Sequence, residues 1–315
     1  MSSAKPLLAL HRPGSTHCVG DGFRVHNLFP SNEVGEALSP FLLLDFGAAA
    51  EFPATEKRRG VGEHPHRGFE TVTVAFQGKI AHRDSAGNSG VIGPGDVQWM
   101  TAGAGVVHEE LHEREWARVG GTLEMVQLWV NLPRADKLTT PRYQDLRDAD
   151  IPRVERPGAL LRVIAGEQLG ARGLAKTFSP VELFTLELAA GAELTLTLPD
   201  SHTAAVFVLT GAARVNGSAP VRATELALLG TDGTDVHVRA AEPTRALLLG
   251  GRPLGEPVVM QGPFVMNTGE ELLQGATKST TRPLSPHSRT RQLLTFISRL
   301  SLRACFSPSP APCPL

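Results

Sequence analysis

Short apolar runs with a period of two recur along the chain. Phe184, Leu186 and Leu188 fall on alternate positions, as do Leu194, Leu196 and Leu198, Val206 and Val208, Leu226 and Leu228, Val236 and Val238, and Ala246 and Leu248. Alternate residues face one side of an extended chain, so each run predicts a strand with one buried face. Earlier, Val72, Val74 and Phe76 show the same spacing. Residues 40–44 form a continuous apolar run, ended by Asp45, that suits a strand buried on both faces, and residues 123–133 (LEMVQLWVNLP) read as a strand closing the first set. Turn-forming clusters separate the runs: Gln77-Gly78, Ser85-Ala86-Gly87-Asn88 and Gly93-Pro94-Gly95-Asp96. The pattern predicts an all-β protein made of small antiparallel barrels.

Lys137, Arg142, Arg147, Arg153 and Arg156, set among Asp and Pro, interrupt the pattern as a polar connector. The expected division is a first barrel at 1–135, a connector at 136–158, a second barrel at 159–275 and a tail at 276–315. A chain of 315 residues suits two domains, each long enough to bury its own core. Its 32 glycines and 24 prolines, with 20% charged residues, fit many short strands and turns better than a helical bundle. The second unit repeats the first in pattern rather than in identity.

The chemistry concentrates in residues 64–110. His64 and His66 are two apart, as are His108 and Glu110, so each pair shares one face of a strand. An isolated HxH is more often two unrelated surface histidines than a ligand pair. Here Val72, Val74 and Phe76 fall in register with His64 and His66, which predicts that the histidines look inward. Three imidazoles and one carboxylate meeting at a point would suit Fe(II), Mn(II), Cu(II), Ni(II) or Zn(II), and would suit calcium or magnesium poorly. Open coordination positions would make the centre catalytic or sensing. Trp99, Met100, Met125 and Trp129 are candidates to line an apolar wall for a planar aromatic ligand. His82 and His112 lie within reach by sequence, and His112 reads as a solvated histidine past its strand end. The second barrel has only His202 and His237, each alone, and no metal is expected there.

The run HPHRGFETVTVAFQGKIAHRDSAGNSGVIGPGDVQWMTAGAGVVHEE at 64–110 closely resembles the pirin family of bicupins, and GPFVMNT at 262–268 is similar to that family's C-terminal signature. The likeness runs from about residue 22 to about residue 275 and implies two tandem cupin (double-stranded β-helix, jelly-roll) barrels with a short C-terminal helix. It implies that His64, His66, His108 and Glu110 hold an iron, and that Glu70, a ligand position in many other cupins, serves instead to orient a ligand or a water. It further implies an Fe(II)-dependent dioxygenase of the quercetin 2,3-dioxygenase type, acting on a flavonol and O2, with Glu110 also the catalytic base. The alternative is a non-catalytic iron protein that regulates transcription or metabolism through a protein partner.

Other features narrow the class. Three cysteines, Cys18, Cys305 and Cys313, suggest neither a disulfide framework nor a thiolate metal site, and a reduced cytoplasmic setting is expected. No stretch approaches a membrane span or a secretory leader. The tail from residue 276 carries Lys278 and five arginines with no acid, so a net charge of -1 leaves the rest of the chain at -7. An acidic body argues against direct nucleic-acid binding. The tail's Ser- and Pro-rich composition departs from the family and reads as an unselected, disordered extension.

Overall fold

The computed structural model describes residues 3–29 and 37–279. After β1 (Leu7–His11), the first barrel uses β2 (His17–Val19), β3 (Phe23–Phe29), β4 (Phe41–Phe52), β5 (Gly60–His66), β6 (Phe69–Gln77), β7 (Ile80–Asp84), β8 (Ser89–Ile92), β9 (Val97–Thr101), β10 (Val106–His112), β11 (Gly121–Asn131) and β12 (Arg142–Leu146). They form a seven-stranded sheet, β12-β9-β6-β11-β4-β3-β2, and a four-stranded sheet, β5-β10-β7-β8. The second barrel repeats this plan with another seven-stranded and another four-stranded sheet. This is the expected all-β architecture of two cupin barrels.

The two large sheets pack face to face. Val72 and Val74 of β6, Trp99 of β9 and Val126 and Leu128 of β11 join Leu183, Phe207, Leu226, Leu247 and Leu249 in one buried core between the barrels. Because side chains alternate along a strand, the odd-numbered residues of β6 and β11 face the first barrel's interior, and there Ala75 and Met125 pack with Phe23, Ile80 and Leu123. The shared register of the histidines with Val72, Val74 and Phe76 therefore does not hold. Gly68, at φ +83°, turns the chain from β5 in the small sheet to β6 in the large one, and parity is not carried through the turn. The apolar run of β6 faces the second barrel, and the histidines face inward for a different reason, their place in the small sheet.

The segment boundaries also differ from those read in the sequence. β1 pairs antiparallel with Leu226–Leu229 of the second barrel, and Lys5, just before it, is buried with Nζ donating to the carbonyls of His202 and Thr231. The connector supplies an edge strand to each barrel: β12 pairs with β9, and Arg153–Arg156 pairs with Ala159–Ala165. A polar segment can do this because an edge strand pairs its backbone on one side only, and its charges discourage pairing on the other.

GPFVMNT lies beside the turn that follows His66. Arg67 N donates to Pro263 O, Val265 N donates to Arg67 O, and Lys137 Nζ donates to Gly68 O, Asn131 Oδ1 and Val265 O. Then comes the helix α1 (Gly269–Ser279). Thr268 Oγ1 accepts from Glu271 N while Glu271 accepts from Thr268 N, a reciprocal cap that starts the helix. No described helix is long and apolar enough to cross a membrane. The reading of the tail beyond residue 279 lies outside the described residues.

Candidate metal centre

β5 and β10 are neighbours in the small sheet, with His64 opposite His108 and His66 opposite Val106. One nitrogen from each of His64, His66 and His108 lies within 4.8 Å of the others. His64 Nε2 and His108 Nε2 are 2.9 Å apart. Two nitrogens held at about 2.1 Å from one ion and at right angles are about 3.0 Å apart, so this separation suits a shared metal. The Gly62 carbonyl accepts from His64 Nδ1 at 2.8 Å, which fixes that ring and leaves Nε2 as the ligating atom.

His66 and His108 are buried. Burial first, and neighbouring His64 second, hold both pKa values well below the usual histidine range. Each is therefore a neutral imidazole at neutral pH, the form a metal binds. Their Nδ1 atoms are buried with no hydrogen-bond partner. Three convergent imidazoles, two of them buried, neutral and unpartnered at Nδ1, fit a divalent metal ion, and three protein nitrogens leave a six-coordinate ion open to further ligands.

Glu110 stands outside this group. The pairing of β10 with β5 shifts between His108 and Glu110, an irregularity of the kind that re-aims a side chain. Gln127 Nε2 donates to both carboxylate oxygens of Glu110, at 3.1 and 2.9 Å, and Thr73 Oγ1 donates to Oε1 at 3.3 Å. The structure thus groups three of the four expected ligands and ties the carboxylate of the fourth, Glu110, to Gln127 and Thr73 of the facing sheet.

The candidate wall residues separate by strand parity. Trp129 lies 5.5 Å from His66 and 4.3 Å from Phe69, ring centre to ring centre. Met100 packs with Val106 on the inner wall, and Met125 lies deeper in the barrel core. Trp99 faces the second barrel and does not line the site. Glu70 shares the parity of Val72 and accepts from Thr101 at 2.7 Å, so it does not orient a ligand of the trio. His112 is not solvated: it is boxed in by Phe23, Phe52 and Trp116, with Nε2 donating to the Gly22 carbonyl. His82 is buried opposite Glu110 and stacks on Tyr143.

The strand pattern alone did not single out Gln127, Thr73, Gln98 or Asp45. They form a polar row across the inner face of the large sheet: Gln98 pairs with Thr73, Thr73 with Gln127, Gln127 with Asp45, and Asp45 with Asn27, whose Nδ2 donates to its carboxylate. The available signal was a set of amides and hydroxyls at one parity of otherwise apolar strands, opposite the apolar parity. In the second barrel, His202 contacts Glu182 and His237 contacts Thr195, and among the described residues no second metal-ligand group forms.

Comparison with known proteins agrees with this architecture. The sequence profile of the family described as Pirin matches residues 22–130, and that of the Pirin C-terminal cupin domain matches 183–278. A Pseudomonas aeruginosa protein provisionally named a quercetin 2,3-dioxygenase is 51% identical over 272 residues, covering 86% of this chain and 95% of its own. Human pirin is 37% identical over 261 residues, covering 81% and 86%. The crystal structure of a quercetin 2,3-dioxygenase from Acinetobacter baumannii superposes with a TM-score of 0.85 at 48% identity, covering 88% of this chain and 96% of its own. With both barrels matched in order and near-complete coverage of such relatives, the chain belongs to the pirin family.

Proposed function

We propose that the protein is an Fe(II)-dependent dioxygenase that cleaves flavonols such as quercetin with O2. The observation that carries this reading is a trio of convergent histidines at one inner wall, with the Glu110 carboxylate held by the neutral donors Gln127 and Thr73. Support also comes from the relatives named for quercetin 2,3-dioxygenase activity. In this reading His64, His66 and His108 hold the ion, with Glu110 a further ligand or a base beside it. The metal would supply Lewis acidity and the redox contact with O2. Glu110 would accept the proton of the flavonol hydroxyl. Gln127 and Thr73 keep its carboxylate in place for that transfer, so little reorganisation is needed. Trp129 and Phe69 give the flat ligand an apolar face against His66 and keep bulk water away from it. A reducing, cytoplasmic compartment belongs to the same proposal, because it keeps the ion ferrous.

The test is anaerobic loading with Fe(II), followed by quercetin and then O2, with the flavonol absorbance and carbon monoxide release recorded. Loss of the flavonol band with release of carbon monoxide is expected. A fully loaded protein that leaves quercetin intact over hours would remove the catalytic reading in favour of a regulatory iron protein that acts through a partner.

A further inference from the structure

Resting on the flavonol reading above, we propose that Tyr143 is a substrate-positioning residue whose phenol donates a hydrogen bond to an oxygen of a planar, oxygen-bearing aromatic bound beside the histidine trio. Tyr143 is the chain's only tyrosine, and it lies on β12, the strand that the connector adds to the first barrel. Across the inner face of the large sheet it pairs with Met100, Met100 pairs with Thr71, and Thr71 pairs with Trp129. Neighbouring strands are about 4.8 Å apart, so this row spans roughly 14 Å. That length suits a ligand of two or three rings rather than a single ring. Trp129, which pairs onward with Leu43 of β4, closes this stretch against His66. Tyr143 ends it against His82, with ring centres 5.4 Å apart and planes 6° from parallel, and His82 sits opposite Glu110. The row therefore flanks both the trio and the carboxylate.

The hydroxyls of Tyr143 and Thr71 are buried with no hydrogen-bond partner, and so is the Nε2 of Gln98, one row along the same wall. Such groups are rare in folded proteins, and leaving them unpaired is destabilising. The stack on His82 and the packing against Met100, Ala102 and Val106 use only the ring, and phenylalanine would serve them equally. Valine would likewise replace Thr71 in a purely apolar wall. Three unpartnered donors on one wall match a ligand with several acceptor oxygens along one edge. Burial, together with the carboxylates of Asp84, Glu110 and Asp145, pushes the phenol's pKa up, so it stays a donor at physiological pH.

Anaerobic titration of the Fe(II)-loaded full chain with quercetin, followed by flavonol absorbance, tests this directly. Tyr143→Phe is expected to weaken quercetin binding about tenfold, which corresponds to about 1.4 kcal/mol. Metal content should hold, and the thermal midpoint should stay the same or rise, because an unpartnered hydroxyl has gone. Thr71→Val should also weaken quercetin with metal content unchanged. Equal quercetin affinity in the wild type and both variants overturns this inference alone. Affinity lost in step with metal content or thermal midpoint marks a structural role and also overturns it. Quercetin bound by none of the three proteins at full metal content overturns it together with the flavonol reading.

Discussion

The side-chain amide of Gln127 spans both oxygens of the Glu110 carboxylate, at 3.1 and 2.9 Å, from the sheet opposite the one that carries Glu110. With the amide gone, Thr73 alone would remain to hold the group. Hydrogen bonds to a charged acceptor contribute about 1.5–3 kcal/mol, so Gln127→Leu should lose stability of that order in urea denaturation at pH 7. It should also slow flavonol turnover at least tenfold while metal content holds. Full turnover in this variant would mean that the orientation of Glu110 does not matter to the reaction.

Metal should stabilise the fold through the trio alone. An ion bound only by the native state at about 100 times its dissociation constant adds about 2.7 kcal/mol. Adding Fe(II) or Ni(II) to chelator-treated protein should therefore raise its thermal midpoint, and His66→Ala and His108→Ala should abolish the rise. A rise that persists in either variant would place the ion elsewhere.

Glu70 sets a pH dependence independent of the trio. Burial, opposed by the Thr101 hydrogen bond, raises its pKa from 4.5 to about 7. The folded chain keeps this proton over a range in which the unfolded chain has lost it, so the contribution falls as pH rises from about 4.5 to about 7 and the cost is complete above that. Glu70→Gln removes this slope. The variant should gain on the wild type from pH 5 to pH 8, by up to about 3 kcal/mol. A difference that stays flat across that range would show that the buried acid is not carrying the shift.

Lys137 joins three segments that meet behind His66, with Nζ within hydrogen-bond reach of Gly68 O, Asn131 Oδ1 and Val265 O. Lys137→Met strands three acceptors and should cost roughly 2–4 kcal/mol. Gly68→Ala should be at least as damaging, since φ is +83° and a Cβ there would come within 1.9 Å of Val265 O. Denaturation midpoints measure both, and metal affinity should fall with them because His66 is two residues from the turn.

The histidine trio was legible because a spacing of two has one meaning in a strand, and because β5 and β10 turned out to be neighbours. Trp129 and Met100 were likewise readable as inner-wall residues. Glu70 was misread because parity was extended across Gly68, where the chain changes sheets and the count restarts; Trp99 was named together with its neighbour Met100, and strand alternation puts only one of the two on the inner face. Gln127 and Thr73 gave no signal of their own, since an amide or hydroxyl on an apolar strand acquires meaning only once the facing strand is known. The edge strands of the connector were hidden by their charge. That charge is what an edge tolerates and a central strand does not.

The pairing of β1 with Leu226–Leu229 ties the beginning of the chain to a late part of it. During synthesis the strands of the first barrel can pair on the ribosome once β12 has emerged, but β1, an edge strand of the second barrel, must wait unpaired until most of that barrel has been made. Until then, and in any version trimmed at the N-terminus, Leu226–Leu229 presents a bare apolar rim to other nascent copies. Tags or deletions at residues 1–11 would therefore act on the solubility of the far half of the molecule, leaving the histidine cluster itself untouched.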